Sequence, residues 1–132
     1  AYEGVGDLLS QLADSGLRLA IATNKRLHPT QLILQHLGWS TYFEAVYALD
    51  MVTPRLTDKA TMIARLLAER SIPRAAAVYI GDRSEDGESA DATGLAFIAA
   101  TWGYGSLQPA HLAPHWRAAS RPPLLAATLM CT

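Results

Sequence analysis

One cysteine stands in the 132 residues, Cys131 beside the C-terminus. It has nothing to pair with inside the chain, so a disulfide framework is excluded and a reducing, cytoplasmic setting is expected. No apolar run approaches the roughly 20 residues of a membrane span, and the first residues lack the charged-then-apolar pattern of a signal peptide. No membrane association is therefore expected. Charge of neither sign is in excess, with 11 basic and 12 acidic residues and a formal net charge of -1. That balance leaves no electrostatic footprint for nucleic acid. Glycine is missing where two common phosphate binders need it: Ala22-Thr23-Asn24-Lys25 has no glycine-rich turn for a dinucleotide, and no Walker-type loop occurs. The four histidines show no ligand spacing except His111 and His115, which flank Pro114 and do not share a helix face. None is assigned a metal.

What is present reads as one globular domain over residues 1-132, half apolar and 17% charged, with a proline-rich C-terminal segment at 107-132. Val5, Leu8, Leu9 and Leu12 recur at helical spacing, which predicts a helix near Gly4 to Ser15 with Gly16 at its end. Leu17 to Ala22 runs almost continuously apolar, as a strand covered on both faces does. Pro29 opens a second predicted helix, with Leu32, Ile33, His36 and Leu37 as its stripe and Gly38 as its stop. Ala45 to Ala48 reads as a strand. Asp58 caps a third helix in which Ala60, Ile63, Leu66, Leu67 and Arg70 set the period. A strand over Ala76 to Ile80, a helix from Ser84 to Ala92 and a strand over Leu95 to Ala100 follow. A short strand near Trp116 to Ala119 and a last helix from Pro123 to Met130 complete the expectation. Strands alternating with helices at this spacing predict an α/β fold with a mainly parallel sheet.

In an open parallel sheet, functional groups gather beyond the carboxyl ends of the strands. Thr23, Asn24, Asp82 and Asp86 all fall there. Asp82 suits Mg²⁺, which takes one or two carboxylates together with waters and phosphate oxygens. Asp86, one helical turn on, is placed to order that shell. Both acids equally suit the N-terminus of the helix that follows them. Thr23 can donate its hydroxyl to a phosphoryl oxygen, with the Thr23-Asn24 amides beside it. It also suits the end of a strand simply as a β-branched residue. Lys59 opposes the dipole of the helix it opens, a conflict that a bound anion would remove. As an exposed lysine it needs no role.

Taken in order, Tyr2-Glu3-Gly4-Val5, Ala22-Thr23-Asn24-Lys25, Lys59, Gly81-Asp82-Arg83-Ser84-Glu85-Asp86 and Thr101-Trp102-Gly103-Tyr104-Gly105-Ser106 resemble the haloacid dehalogenase superfamily. The resemblance is to its phosphoglycolate phosphatase-like branch and covers about residues 2 to 106. It implies a three-layer α/β/α Rossmann-like core and a Mg²⁺-dependent phosphatase acting on a small phosphorylated metabolite. In such enzymes an aspartate attacks the phosphate and water then hydrolyses the aspartyl-phosphate. By similarity Thr23 and Asn24 bind the phosphoryl group and Lys59 neutralises it, while Asp82 holds Mg²⁺ and Asp86 supports it. Rival readings are a receiver-like signalling module, whose threonine and lysine come in a different order, and a non-catalytic phosphate- or partner-binding relative.

Two departures accompany the resemblance. The lysine lies in Arg55-Leu56-Thr57-Asp58-Lys59 without the lysine-proline pair of many relatives. The family's first motif, an Asp-x-Asp carrying the nucleophile, occurs nowhere in this sequence, nor does the cap domain expected behind it. Phosphatase turnover by this chain alone is therefore not expected. In the family that motif ends a central strand, lying between those that end here at Thr23 and Gly81. Parallel neighbours sit about 4.8 Å apart, so its loss leaves roughly twice that spacing. The expectation is a piece of a longer protein, re-paired strands, or a missing N-terminal segment or partner chain that fills the slot.

Overall fold

The computed structural model describes residues 4-100 and 112-119, and the chain divides into two compact units, residues 1-66 and 67-132. Both are built of helices and parallel strands.

The first unit begins with α1 (Val5–Asp14), whose Leu8 and Leu12 are buried one turn apart. Gly16 follows in the left-handed conformation at φ 80°, where a side chain would be strained. β1 (Ala20–Thr23) and β2 (Ala45–Ala48) run parallel, with Ala20 opposite Ala45 and Thr23 opposite Ala48. Leu17 to Leu19 lead into β1, whose pairing with β2 begins at Ala20 opposite Ala45. The junction is fixed by the Glu44 N–H donating to the Leu19 carbonyl at 2.8 Å and by a bidentate Arg18–Glu44 pair at 2.6 and 2.7 Å.

Between these strands lies α2 (Leu27–Leu37), which starts two residues before Pro29. Proline is tolerated in the first turn, where N–H groups have no intrahelical partner. The buried face also differs from the expected one. Leu32 and Ile33 are about half exposed, and Thr30 and Leu34 are the buried positions. Thr30 goes inside because its hydroxyl donates to the Arg26 carbonyl at 2.8 Å, which leaves its methyl for packing. Gly38 ends the helix at φ 73°. Past β2, a short 3₁₀ turn (Leu49–Met51) leads to a loop and then α3 (Lys59–Glu69). Met62, Ile63, Leu66 and Leu67 form the buried stripe of α3, which crosses from the first unit into the second.

The second unit carries β3 (Val78–Gly81), α4 (Ser84–Thr93), β4 (Ala96–Ala100) and β5 (Arg117–Ala119). Its three strands are parallel in the order β3-β4-β5. β3 begins later than expected because Arg74 to Ala76 wind into a 3₁₀ turn behind Pro73. α4 stops where Gly94 turns left-handed at φ 75°. β4 is the central strand, and Phe97, Ile98, Ala99 and Ala100 are all buried. Trp116 lies edge-on to Phe97, with ring centres 5.2 Å apart, and sits over Gly87 of α4. A Cβ at Gly87 would lie 2.7 Å from Trp116 Cε2, so only glycine admits the indole there.

Among the described residues, β1 has β2 as its one strand neighbour and β3 has β4. β1 is not sealed on both faces as its apolar sequence predicted, and Val78 at the start of β3 is 37% exposed. The last helix expected at Pro123 to Met130, the Thr101 to Ser106 motif, Tyr2, Glu3 and Cys131 lie outside the described residues.

Candidate functional site

Thr23 is the last residue of β1, and its Oγ1 accepts the Lys25 N–H at 3.1 Å. This bond uses an oxygen lone pair, so the hydroxyl proton is left to be donated outward, as a phosphoryl oxygen requires. Asn24 is exposed in the same turn. Three residues on, the Leu27 N–H donates to Asp50 Oδ1 at 2.9 Å, and Arg26 Nε stands 3.8 Å from Asp50 Oδ2. Asp50 lies in the turn after β2, so the loops following the two parallel strands are joined at their shared carboxyl end.

The same end delivers Lys59. The Leu56 N–H donates to the Leu49 carbonyl at 2.8 Å, folding the loop back on itself three residues before the lysine. Lys59 is the first residue of α3 and is half-buried. Its neighbour Asp58 accepts the Thr61 N–H at 2.8 Å, and that bond, then one from the Thr61 side chain, holds the Asp58 carboxyl below its ordinary value. The anion that offsets a cation at this helix end is thus supplied within the chain. The dipole argument for Lys59 calls for no phosphate by itself.

In the second unit, β3 ends at Gly81, Asp82 follows, and α4 begins at Ser84. Asp86 is the third residue of α4 and only 5% exposed, and its Oδ2 accepts the Arg83 N–H at 3.3 Å. Its carboxylate lies where a side chain on Gly81 would project: a Cβ there would come 2.7 Å from Asp86 Cγ. Glycine at the strand end is therefore a cradle for the acid. Side chains alternate along a strand, so Tyr79 shares this face of β3. Burial, then the charges of Asp86 and Asp82, push the Tyr79 phenol well above its ordinary value. Asp82, directly past the strand, and Asp86, seated against its last residue, stand at a common end of β3.

The candidate residues thus fall into two sets, one in each unit. Thr23 and Asn24 lie at the carboxyl end of β1, Lys59 opens α3 behind the loop that follows β2, and Asp82 and Asp86 follow the carboxyl end of β3. The helix-capping reading of Asp86 is visible in its bond to Arg83, and it is compatible with a separate role for Asp82. Among the described residues no group of three or more His, Cys, Asp or Glu is arranged to hold a metal ion. Asp82 with Asp86 nearby fits Mg²⁺ by donor chemistry, hard oxygens in small number. Lys25, Arg55 and Arg83, considered as further phosphate contacts, are all exposed.

Sequence reasoning missed Asp50 and Tyr79. The signal for Tyr79 was its spacing, two residues before the strand-ending glycine and hence on one face with it. Asp50 carried no motif, and its only mark was an acid just past a strand whose neighbouring helix lacks a capping side chain of its own.

Residues 1–100 match the family described as haloacid dehalogenase-like hydrolase. The tyrosine-protein kinase PtkA of Mycobacterium tuberculosis is 36% identical over 105 residues, covering 79% of this chain and 35% of the relative. The phosphoglycolate phosphatase of Synechococcus elongatus is 34% identical over 116 residues, covering 87% of this chain and 53% of the relative. Among solved structures, a predicted phosphatase from Clostridium acetobutylicum superposes with a TM-score of 0.88 at 29% identity, covering 99% of this chain and 60% of that one. The chain thus spans about a third to a half of the length of the curated relatives it matches.

Proposed function

Because this chain belongs to the haloacid dehalogenase-like hydrolases, we propose that it is the phosphate- and metal-gripping part of a phosphoglycolate phosphatase-like enzyme hydrolysing a small phosphorylated metabolite. The observation that carries this reading is the acid end of β3, where a glycine without a side chain seats Asp86 and the next residue, Asp82, stands just past the end of the strand. The nucleophilic aspartate that would form the aspartyl-phosphate is not in residues 1-132. On this reading a preceding segment or a partner chain supplies it.

Each side chain has a separable task. Thr23 donates its hydroxyl, and the Thr23-Asn24 amides their N–H groups, to the oxygens of the transferred phosphoryl group. Lys59 offsets negative charge on that group and on the nucleophile. Asp82 holds Mg²⁺, and Asp86 keeps the Gly81-Asp82 turn in shape by seating on the glycine and accepting the Arg83 N–H. When bound, the ion supplies charge stabilisation to the phosphoryl oxygens. Phosphoryl transfer has little covalent chemistry for a protein to perform, so positioning and charge dominate. The single cysteine accords with a cytoplasmic setting.

Likeness to a tyrosine-protein kinase favours a second reading, transfer of a phosphoryl group to a tyrosine hydroxyl instead of to water. One experiment separates the two. The full-length gene product is incubated with Mg²⁺ and either 2-phosphoglycolate or radiolabelled ATP plus a tyrosine-containing peptide. Phosphate release that is lost in D82N supports the phosphatase. Labelled peptide without phosphate release supports the kinase, and phosphate release unchanged in T23A and D82N refutes the assigned site.

A further inference from the structure

Helices begin close to Thr23, Lys59 and Asp82, and only the first of these three lacks a carboxylate of its own. Asp58 caps α3 and Asp86 sits in the first turn of α4. α2 has Arg26 at its N-cap, no capping side-chain bond and no acid in its first turn. Orphan N–H groups at a helix start need an acceptor, and an anion there also meets the positive end of the helix dipole. The acceptor is imported: Asp50, from the turn after the neighbouring strand, takes the Leu27 N–H at 2.9 Å.

We infer that Asp50 is a positioning residue for the Thr23 turn. Only Asn24, Lys25 and Arg26 lie between Thr23 and the first residue of α2, so fixing Leu27 fixes where that short loop ends. Its beginning is fixed by the pairing of Thr23 with Ala48 and by the Lys25 N–H bond to Thr23 Oγ1. Held at both ends, the loop keeps the Thr23 hydroxyl and the Asn24 amide aimed in one direction. The same carboxylate also occupies the start of α2, so an anion is received at the Thr23-Asn24 turn and not at the helix terminus. Because Leu49, next to Asp50, accepts the Leu56 N–H, the clasp further ties this turn to the loop that leads to Lys59.

This assignment rests on the phosphatase reading, so its test compares D50A, D50N and T23A in the full-length gene product. Hydrogen exchange at the Leu27 amide and kcat/KM for 2-phosphoglycolate are measured for each. Asparagine keeps an oxygen that accepts the Leu27 N–H, whereas alanine keeps none. Misplacing a binding group by about an ångström costs on the order of a hundredfold in rate. D50A is expected to speed exchange at Leu27 and lower kcat/KM by about ten- to a hundredfold, with D50N restoring most of both. A D50A protein that melts lower but matches wild type in kcat/KM, while T23A is impaired, overturns the positioning role and leaves the phosphatase reading standing. An unimpaired T23A overturns the phosphatase reading, and the Asp50 assignment falls with it. Should D50A not fold, D50N no better than background in activity, with Leu27 exchange unchanged, overturns the assignment on its own.

Discussion

Replacing Gly81 with alanine puts a methyl group where a hydrogen was, and the structure gives that carbon nowhere to go. It would stand 2.7 Å from Asp86 Cγ and closer still to the carboxylate oxygen. The obstructing group is the short, buried side chain of a helix, not the far end of a flexible one. Two opposing effects follow. Alanine lowers the entropy of the unfolded chain relative to glycine, a gain of about 0.4 to 1 kcal/mol where the backbone is compatible. Overpacking a filled site costs about 1 to 3 kcal/mol. If Asp86 turns away to relieve the clash, its bond from the Arg83 N–H is lost, at about 1.5 to 3 kcal/mol for a charged acceptor. Either cost exceeds the entropic gain, so G81A is expected to be destabilised by roughly 1 to 3 kcal/mol in chemical denaturation of the full-length protein. The second arm of the test is G81A/D86A. Removing the carboxylate makes room for the methyl, so the double variant should be less destabilised than the sum of the singles by at least about 0.5 kcal/mol. Additive losses, or a G81A protein as stable as wild type, would refute the cradle.

Gly87→Ala should destabilise as well, because its Cβ meets the Trp116 ring, although alanine gains about 1 kcal/mol of helix propensity. In a W116A background the sign should reverse, with G87A stabilising by about that propensity difference in urea melts. Asp58 is held below its ordinary carboxyl value by Thr61, so its cap contributes above an unfolded pKa of about 3.9 and is lost as pH falls through the lower folded value. D58A should therefore differ from wild type in thermal melts at pH 7 and converge with it in strong acid. The Tyr79 phenol is raised, so ultraviolet titration should show it still protonated after the exposed tyrosines have ionised above about pH 10. Its contribution to stability is present below that pH and is lost as pH rises through the raised folded value, and Y79F should remove one phenol from the late-ionising amplitude.

Helix ends were the most legible part of the sequence. Gly38 and Gly94 stop their helices in the left-handed conformation, which glycine adopts with little cost. β2 was equally plain, four apolar residues between turns, and it spans Ala45–Ala48 as read. Strand starts were less so, since Leu17 and Leu19 are as apolar as β1 and the register opposite Ala45 decides where pairing begins. The face of α2 misled because leucine and isoleucine were preferred to a threonine whose hydroxyl the helix itself satisfies. Among candidate site residues, Asp82, Asp86, Thr23 and Lys59 could be singled out because chemistry marks residue types past strand ends and at helix starts. Asp50 could not, since its role depends on which loop lies beside it, a relation set by the β1-β2 pairing and not by spacing along the chain.

β3 stands at one margin of its three-stranded sheet among the described residues, and its Val78, Tyr79 and Ile80 carry no lysine, proline or bulge of the sort that blunts such margins. A strand margin of that kind is a template for pairing with a second copy, and the described strand itself carries no guard against it. Evolution has little latitude to correct it there: the strand that invites the hazard is the one that delivers Asp82, and a protective charge would sit within a few residues of the acids it must not disturb.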